Sequence, residues 1–254
     1  MRPAAGAGAQ IQDPTVVIFE ELDYRETPLG AISLRRRTEP RVNDELVYEV
    51  KLGDEFLMSS LFTVGERALA TRALTRMTGS ALDVVVGGLG LGYTARAALQ
   101  DSNVAELLVI DALGEVIEWH RRGLVPLGLE VSGDPRCRLI CGDFFALASD
   151  PEAGFDPDVM GRRFDAVLLD IDHSPEHWLA PVHQAFYSDT GLRRLAAQLR
   201  AGGVFAMWSN DRPDAAFEAM LGQVFKDVRA ELVTFPNPYT GDDAFCSVYS
   251  GLAA

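Results

Sequence analysis

The sequence predicts an α/β protein in two parts, a small antiparallel β-region followed by a mostly parallel, doubly wound sheet with helices on both faces. Three observations carry this. Short apolar runs broken by turn residues fill positions 13–76. Beyond Ala81, strand-like runs alternate with helical segments, the pattern of a parallel sheet. The first of those runs, Asp83-Val84-Val85-Val86, ends in Gly87-Gly88-Leu89-Gly90-Leu91-Gly92. Glycines between a strand and a helix let the backbone turn tightly and approach a ligand closely.

The elements follow in order. Met1 to Gln10 is rich in Ala and Gly and lacks the apolar core of a signal peptide, so residues 1–12 are expected to be a flexible tail. Strands are expected at Thr15–Phe19, Ala31–Leu34, Leu46–Val50 and Phe56–Met58, with turns at Pro28-Leu29-Gly30, Asn43-Asp44 and Gly53-Asp54. A helix follows from Gly65 to Met77, and residues 77–254 form the second domain. Its strands are Asp83–Val86, Glu106–Ile110, Cys137–Cys141, Ala166–Leu169 and Val204–Trp208, finished by Ala230–Phe235 and Ala244–Tyr249. Helices are expected at Thr94–Leu99, Gly114–Arg122 and Gly191–Arg200, the last ended by Ala201-Gly202-Gly203. Phe155–Arg162 reads as a short loop.

Bulk properties remove several function classes. A formal net charge of -14 argues against binding nucleic acid or an anionic membrane, which needs clustered positive charge. Such a chain attracts a cationic substrate. The run Arg35-Arg36-Arg37 reads as a solvated strand end or loop. Cys137, Cys141 and Cys246 form neither a metal spacing nor an even-numbered disulfide framework, so a reducing cytoplasm is the expected location. No apolar stretch approaches the roughly 18 residues needed to span a bilayer.

In such sheets ligands sit at the carboxyl ends of the strands. The first end supplies Gly88, Gly90 and Gly92; the second supplies Asp111, whose carboxylate can accept from a ribose diol. At the third, Gly142-Asp143-Phe144 offers an acid for an adenine amino group and a ring for stacking. The fourth gives Asp170-Ile171-Asp172-His173, and the fifth Ser209-Asn210-Asp211. Together they describe an adenosyl-type ligand across the sheet edge. His173, His177 and His183 cluster after Asp170, but Pro175 and Pro181 interrupt the segment, and no metal is expected. Trp178 and His173 are candidates to contact an acceptor.

These residues resemble the polyamine aminopropyltransferases, the spermidine synthase family, within the class-I S-adenosylmethionine-dependent transferases with their Rossmann-like core. The matching segments are the glycine loop, Asp111-Ala112-Leu113-Gly114-Glu115-Val116-Ile117, Gly142-Asp143, Phe164-Asp165-Ala166-Val167-Leu168-Leu169-Asp170 and Phe235-Pro236-Asn237-Pro238-Tyr239-Thr240-Gly241. The resemblance implies Asp170 as the catalytic acid with Asp172 beside it, Tyr239 at the substrate, a homodimer, and a small β-domain ahead of the core. It implies decarboxylated S-adenosylmethionine as donor and a small-molecule amine as acceptor. Departures are equally plain. The loop lacks the family's acid, and Gly65-Glu66-Arg67-Ala68 keeps only Glu66 of an acidic, aromatic helix segment. Met58-Ser59-Ser60 offers no counterpart to a donor-binding Gln, and Asp170-Ile171-Asp172-His173-Ser174-Pro175 is one residue longer than the family pattern.

Two further readings stay open. One is methyl transfer from intact S-adenosylmethionine to a small molecule, with or without a metal. The other is a nucleoside-binding homologue without catalysis. In aminopropyl transfer a neutral amine attacks the methylene beside a sulfonium, while alkylammonium pKa values lie near roughly 10. A carboxylate at the attack position orients the amine and takes its proton. Asp170 is the residue placed for that task, with Asp172 as electrostatic support.

Overall fold

The computed structural model describes residues 18–254, and the expected tail and most of the expected strand at 15–19 lie outside them. Four strands form an antiparallel sheet in sequence order: β1 (Phe19–Thr27), β2 (Gly30–Glu39), β3 (Glu45–Leu52) and β4 (Glu55–Ser59). Expected turns at 28–30, 43–44 and 53–54 connect them. The arginine run corrects the expectation above. It lies inside β2 rather than at a solvated end, because register sets Arg35 against Glu49 and Arg36 against Tyr48 of β3. Glu49 accepts from Arg35 at 2.6 Å and from Arg37 at 2.9 Å, and Arg37 also meets Glu39 at 2.6 Å. Both glutamates are nearly fully buried, so each needs the cation beside it.

The second layer is a seven-stranded sheet in the order β10-β11-β9-β8-β5-β6-β7, in which β5 to β9 run parallel, β11 is antiparallel to β9, and β10 is antiparallel to β11. The strands are β5 (Leu82–Gly87), β6 (Val104–Asp111), β7 (Cys137–Cys141), β8 (Phe164–Leu169), β9 (Leu199–Ser209), β10 (Lys226–Pro236) and β11 (Asp243–Leu252). Val84, Val85, Val86, Leu107, Leu108, Val109 and Ile110 are wholly buried, as central parallel strands covered on both faces must be. α1 (Val64–Leu74), α2 (Tyr93–Leu99), α3 (Gly114–Arg121) and α4 (Gly128–Gly133) pack around one face. Most of α5 (Phe144–Ala148), α6 (Asp189–Ala196) and α7 (Ala215–Leu221) belongs to the aromatic-rich core on the other.

The chain visits β5, β6 and β7 in one direction, then crosses back to β8 and β9, so strand order reverses between β5 and β8. That reversal opens a crevice at the strand carboxyl ends. The opposite end is closed by charge. Arg162 reaches Asp83, Glu106 and Asp156 at 3.1, 2.6 and 2.7 Å, and Arg200 spans Asp83 and Asp165.

Several boundaries differ from the expectation: β1 occupies Phe19–Thr27, where no strand is expected beyond Phe19, α1 ends at Leu74 instead of Met77, and β10 begins at Lys226 instead of Ala230. The helix expected over Gly191–Arg200 ends at Ala196, and Leu199 already pairs with Phe164. Gly202, at φ +76°, shapes an irregularity inside β9 instead of stopping a helix. Trp119 ties the two sheets together. It is fully buried, and its indole N–H donates to Asp23 at 2.6 Å while Arg25 forks onto Glu118 at 2.7 and 3.0 Å.

Candidate active site

Three backbone bonds align the strand ends at the crevice. Gly88 N–H donates to Ile110 O at 2.8 Å, Asp170 N–H to Gly87 O at 2.8 Å, and Gly142 N–H to Asp111 O at 3.0 Å. The glycine loop, Asp111, Asp143 and Asp170 therefore share one sheet edge. Two glycines explain why the loop needs them. Gly88 sits at φ +95°, and a Cβ there lands on the carbonyl oxygen of Asp170. Gly92, at φ +90°, caps α2, and its Cβ meets the His120 ring at 2.7 Å. A side chain at Gly88 forces the backbone apart, and one at Gly92 must displace the His120 ring.

Asp111 closes the loop from the side. Its Oδ2 accepts from Leu89 N–H at 2.9 Å and its Oδ1 from Leu113 N–H at 2.9 Å. A carboxylate offers about four lone-pair positions, so capacity remains for a diol. Burial pushes its carboxyl above the ordinary range, against the pull of these backbone donors. Asp143 caps α5 through Oδ1, which accepts from Phe145 N–H at 2.9 Å and Ala146 N–H at 3.1 Å, and its Oδ2 is left for another donor. Asp111→Ala is expected to weaken adenosyl-ligand binding by about 1.5–3 kcal/mol, the range for hydrogen bonds to a charged group. Calorimetry with methylthioadenosine on the folded variant checks this, and unchanged affinity removes Asp111 from the site.

Asp170 ends β8 across Gly88 from the loop. Its Oδ2 accepts from the Thr94 hydroxyl at 2.5 Å, and that hydroxyl lies 3.3 Å from the Glu66 carbonyl. Burial pushes the Asp170 carboxyl up to about 6, with Thr94 pulling the other way. Glu66 on α1 is pushed up to about 8, by burial first and then by the charge on Asp170. Two acids facing one partly buried space resist carrying two charges together, so each raises the other's tendency to keep its proton.

The other expected residues are placed differently. Phe144, expected to stack on a base, is a core side chain at 2% exposure. It stacks on Phe155 at 5.1 Å, and a Cβ on Gly87 meets its ring at 2.5 Å. Its ring packs inward because α5 turns that face beneath the sheet. Asp172, expected beside the acceptor, is buried and held through both oxygens. Its Oδ1 accepts from Leu179 N–H and His183 Nδ1–H at 2.8 Å each, and its Oδ2 from the Tyr187 hydroxyl at 2.9 Å. It anchors the segment after Asp170 and has little to offer a ligand.

His173 and Trp178 line a cleft of about 550 Å³ with Glu55, Glu176, His177, Asn210 and Asp211. His173 meets Glu55 at 2.7 Å, and the Trp178 indole N–H donates to Pro175 O at 2.7 Å. The three clustered histidines diverge to different carboxylates, Glu55, Asp211 and Asp172. Tyr239 is tied to the first sheet, donating to Glu39 at 2.9 Å and accepting from Arg37 at 2.7 Å. Sequence reasoning overlooked Thr94, Met58 and His120, whose contacts join residues far apart in the chain. Glu66 could have been found as the acid retained in the helix segment of the resemblance.

No protein-family model matches the chain. In sequence it is similar to polyamine aminopropyltransferase 2 of Pseudomonas aeruginosa, 30% identical over 162 residues, 61% of this chain and 43% of that protein. It is also similar to the polyamine aminopropyltransferase of Pyrobaculum islandicum, 25% identical over 152 residues, 59% of this chain and 49% of that one. The aligned part thus spans about half the length of these relatives. In structure it is similar to spermidine synthase from Thermotoga maritima, with TM-score 0.69 and 16% identity over 92% of this chain and 73% of that one. A spermidine synthase in complex with the transition-state analogue AdoDATO also matches, with TM-score 0.69 and 16% identity over 97% and 84% of the two chains. The chain has the α/β spermidine-synthase fold, and its sequence relatives carry the name the residues had suggested.

Proposed function

We propose that this chain is a transferase that moves an aminopropyl group from decarboxylated S-adenosylmethionine to an amine acceptor. The observation that carries the reading is Asp170: a carboxyl raised above its ordinary pKa, fixed by Thr94, and separated from the nucleoside cradle only by Gly88. The names of the sequence relatives support the same reaction.

The nucleoside lies along the glycine loop, with its ribose on Asp111 and its adenine amino group on Asp143. The acceptor nitrogen attacks the methylene next to the sulfonium. A carbon–nitrogen bond forms as the carbon–sulfur bond breaks, and the bond electrons stay on sulfur to give methylthioadenosine. Asp170 takes the ammonium proton, as a general base within hydrogen-bond reach. Holding nitrogen and carbon in line supplies much of the acceleration. Glu66 shares the proton load of Asp170. The net charge of -14 and the carboxylates of Glu55, Glu176 and Asp211 at the neighbouring cleft favour a cationic acceptor approaching there.

Methyl transfer from intact S-adenosylmethionine is the second reading, favoured by one feature: no acid stands in the glycine loop, so a donor carboxylate meets no repulsion there. The two are separated by which thioether nucleoside is released, methylthioadenosine or adenosylhomocysteine. We also infer a homodimer in the cytoplasm. Phe19 and Tyr24 on β1 and Leu29 in the turn after it are exposed large side chains that a second copy could cover, and among the described residues no helix is long and apolar enough to cross a membrane.

A further inference from the structure

His120 lies beneath the glycine loop, on α3, and has no part in the chemistry above. It is wholly buried, and its Nε2 lies 3.0 Å from the carbonyl oxygen of Gly90. A carbonyl only accepts, so Nε2 carries the hydrogen. Among the described residues its Nδ1 finds no partner at all, and burial holds the ring below its ordinary pKa. The ring is therefore neutral, with its proton committed to Gly90. An unpartnered buried nitrogen is destabilising. A leucine would fill the space without it.

The bond acts on one peptide. The plane of the Gly90–Leu91 peptide sets carbonyl and N–H on opposite sides. His120 takes the carbonyl on one side, and on the other Leu91 N–H donates to Met58 Sδ at 3.0 Å. Gly92 leaves room for the imidazole, since a Cβ there comes within 2.7 Å of Cε1. Gly90 itself sits at φ +47° with no side chain to resist rotation. Without His120 the Gly90 carbonyl loses its donor, and a flip of this peptide would set that carbonyl oxygen where Leu91 N–H now meets Met58 Sδ, inside the glycine loop.

The geometry points to His120 as a positioning residue, whose neutral Nε2–H holds the Gly90–Leu91 peptide in the orientation that admits the nucleoside. This rests on reading the loop as the nucleoside cradle. The test measures methylthioadenosine affinity by calorimetry in wild type, H120Q and H120N. Gln carries an amide nitrogen far enough out to reach Gly90, whereas Asn stops short; both are polar and uncharged. H120Q is expected to stay within about threefold of wild type and H120N to lose about tenfold, the scale of one hydrogen bond. Nitrogen NMR of the wild-type ring should show a neutral Nε2–H form whose signal shifts on adding methylthioadenosine. Equal affinities in H120Q and H120N, or a ring protonated on Nδ1, overturn the inference and leave the transferase reading standing. Absence of methylthioadenosine binding by the wild-type protein overturns both.

Discussion

Asp170→Asn is expected to lower the rate of transfer by about 100-fold or more, within the usual effect of removing a general base. The amide keeps the shape and can still meet the Thr94 hydroxyl, so methylthioadenosine binding should stay nearly intact. The pH dependence follows from the same residue. In the wild type the carboxylate is present above about 6 and is lost below it, so the rate falls as pH drops through about 6. In the variant that acid limb disappears. Stability moves the other way. Asp170 and Glu66 titrate above their ordinary values, so the folded state binds more protons than the unfolded chain up to about pH 8. Their contribution to stability therefore declines as pH rises through that window. At pH 8 the variant loses a charge the fold resists, and it should melt higher than the wild type while turning over far more slowly. Steady-state rates with and without a chelator, alongside thermal melts, read both effects. Activity abolished by chelator and restored by magnesium would recast Asp170 as a metal ligand.

The second large effect is expected from Gly88→Ala. Gly88 sits at φ +95°, where an L side chain is strained, and its Cβ lands on a backbone carbonyl that has no rotamer by which to escape. Strain of this kind costs about 1–3 kcal/mol, and forcing the backbone to shift adds a similar amount, so a loss of about 2–6 kcal/mol is expected. The movement falls on the Asp170 carbonyl, so nucleoside affinity and rate fall together. Denaturant melts and methylthioadenosine calorimetry on one sample check this. An alanine variant with native stability and native affinity would mean that the loop and Asp170 do not abut.

What the sequence made legible was local. The Val84-Val85-Val86 run, the glycines behind it, and acids at 111, 143 and 170 declare themselves because a strand, its end and the following helix lie within about a dozen residues. What stayed hidden depends on partners brought in by the fold. The ends of the Gly191 helix could not be read because Leu199 is claimed by Phe164, a strand partner 35 positions earlier. Arg35 and Arg37 looked solvated because their neutralising Glu49 arrives from the next strand. Asp172 resembled a second site acid, yet His183 and Tyr187 fold back to take up its oxygens. Phe144 follows a capping acid at a strand end, the right place for a base-stacking ring, but the direction of α5 sends it into the core. Thr94 is the sharpest case. A threonine in the first turn of a helix is unremarkable in sequence, and only the neighbouring strand end makes it the donor to Asp170.

The central claim is that the aminopropyl group, and not a methyl group, leaves the sulfonium. The most direct measurement gives the protein equal concentrations of decarboxylated and intact S-adenosylmethionine with a mixture of small amines, and follows the products by mass spectrometry. The account predicts methylthioadenosine, released in step with an amine gaining an aminopropyl group, and no adenosylhomocysteine. Adenosylhomocysteine with a methylated product, while the decarboxylated donor is left intact, would contradict it.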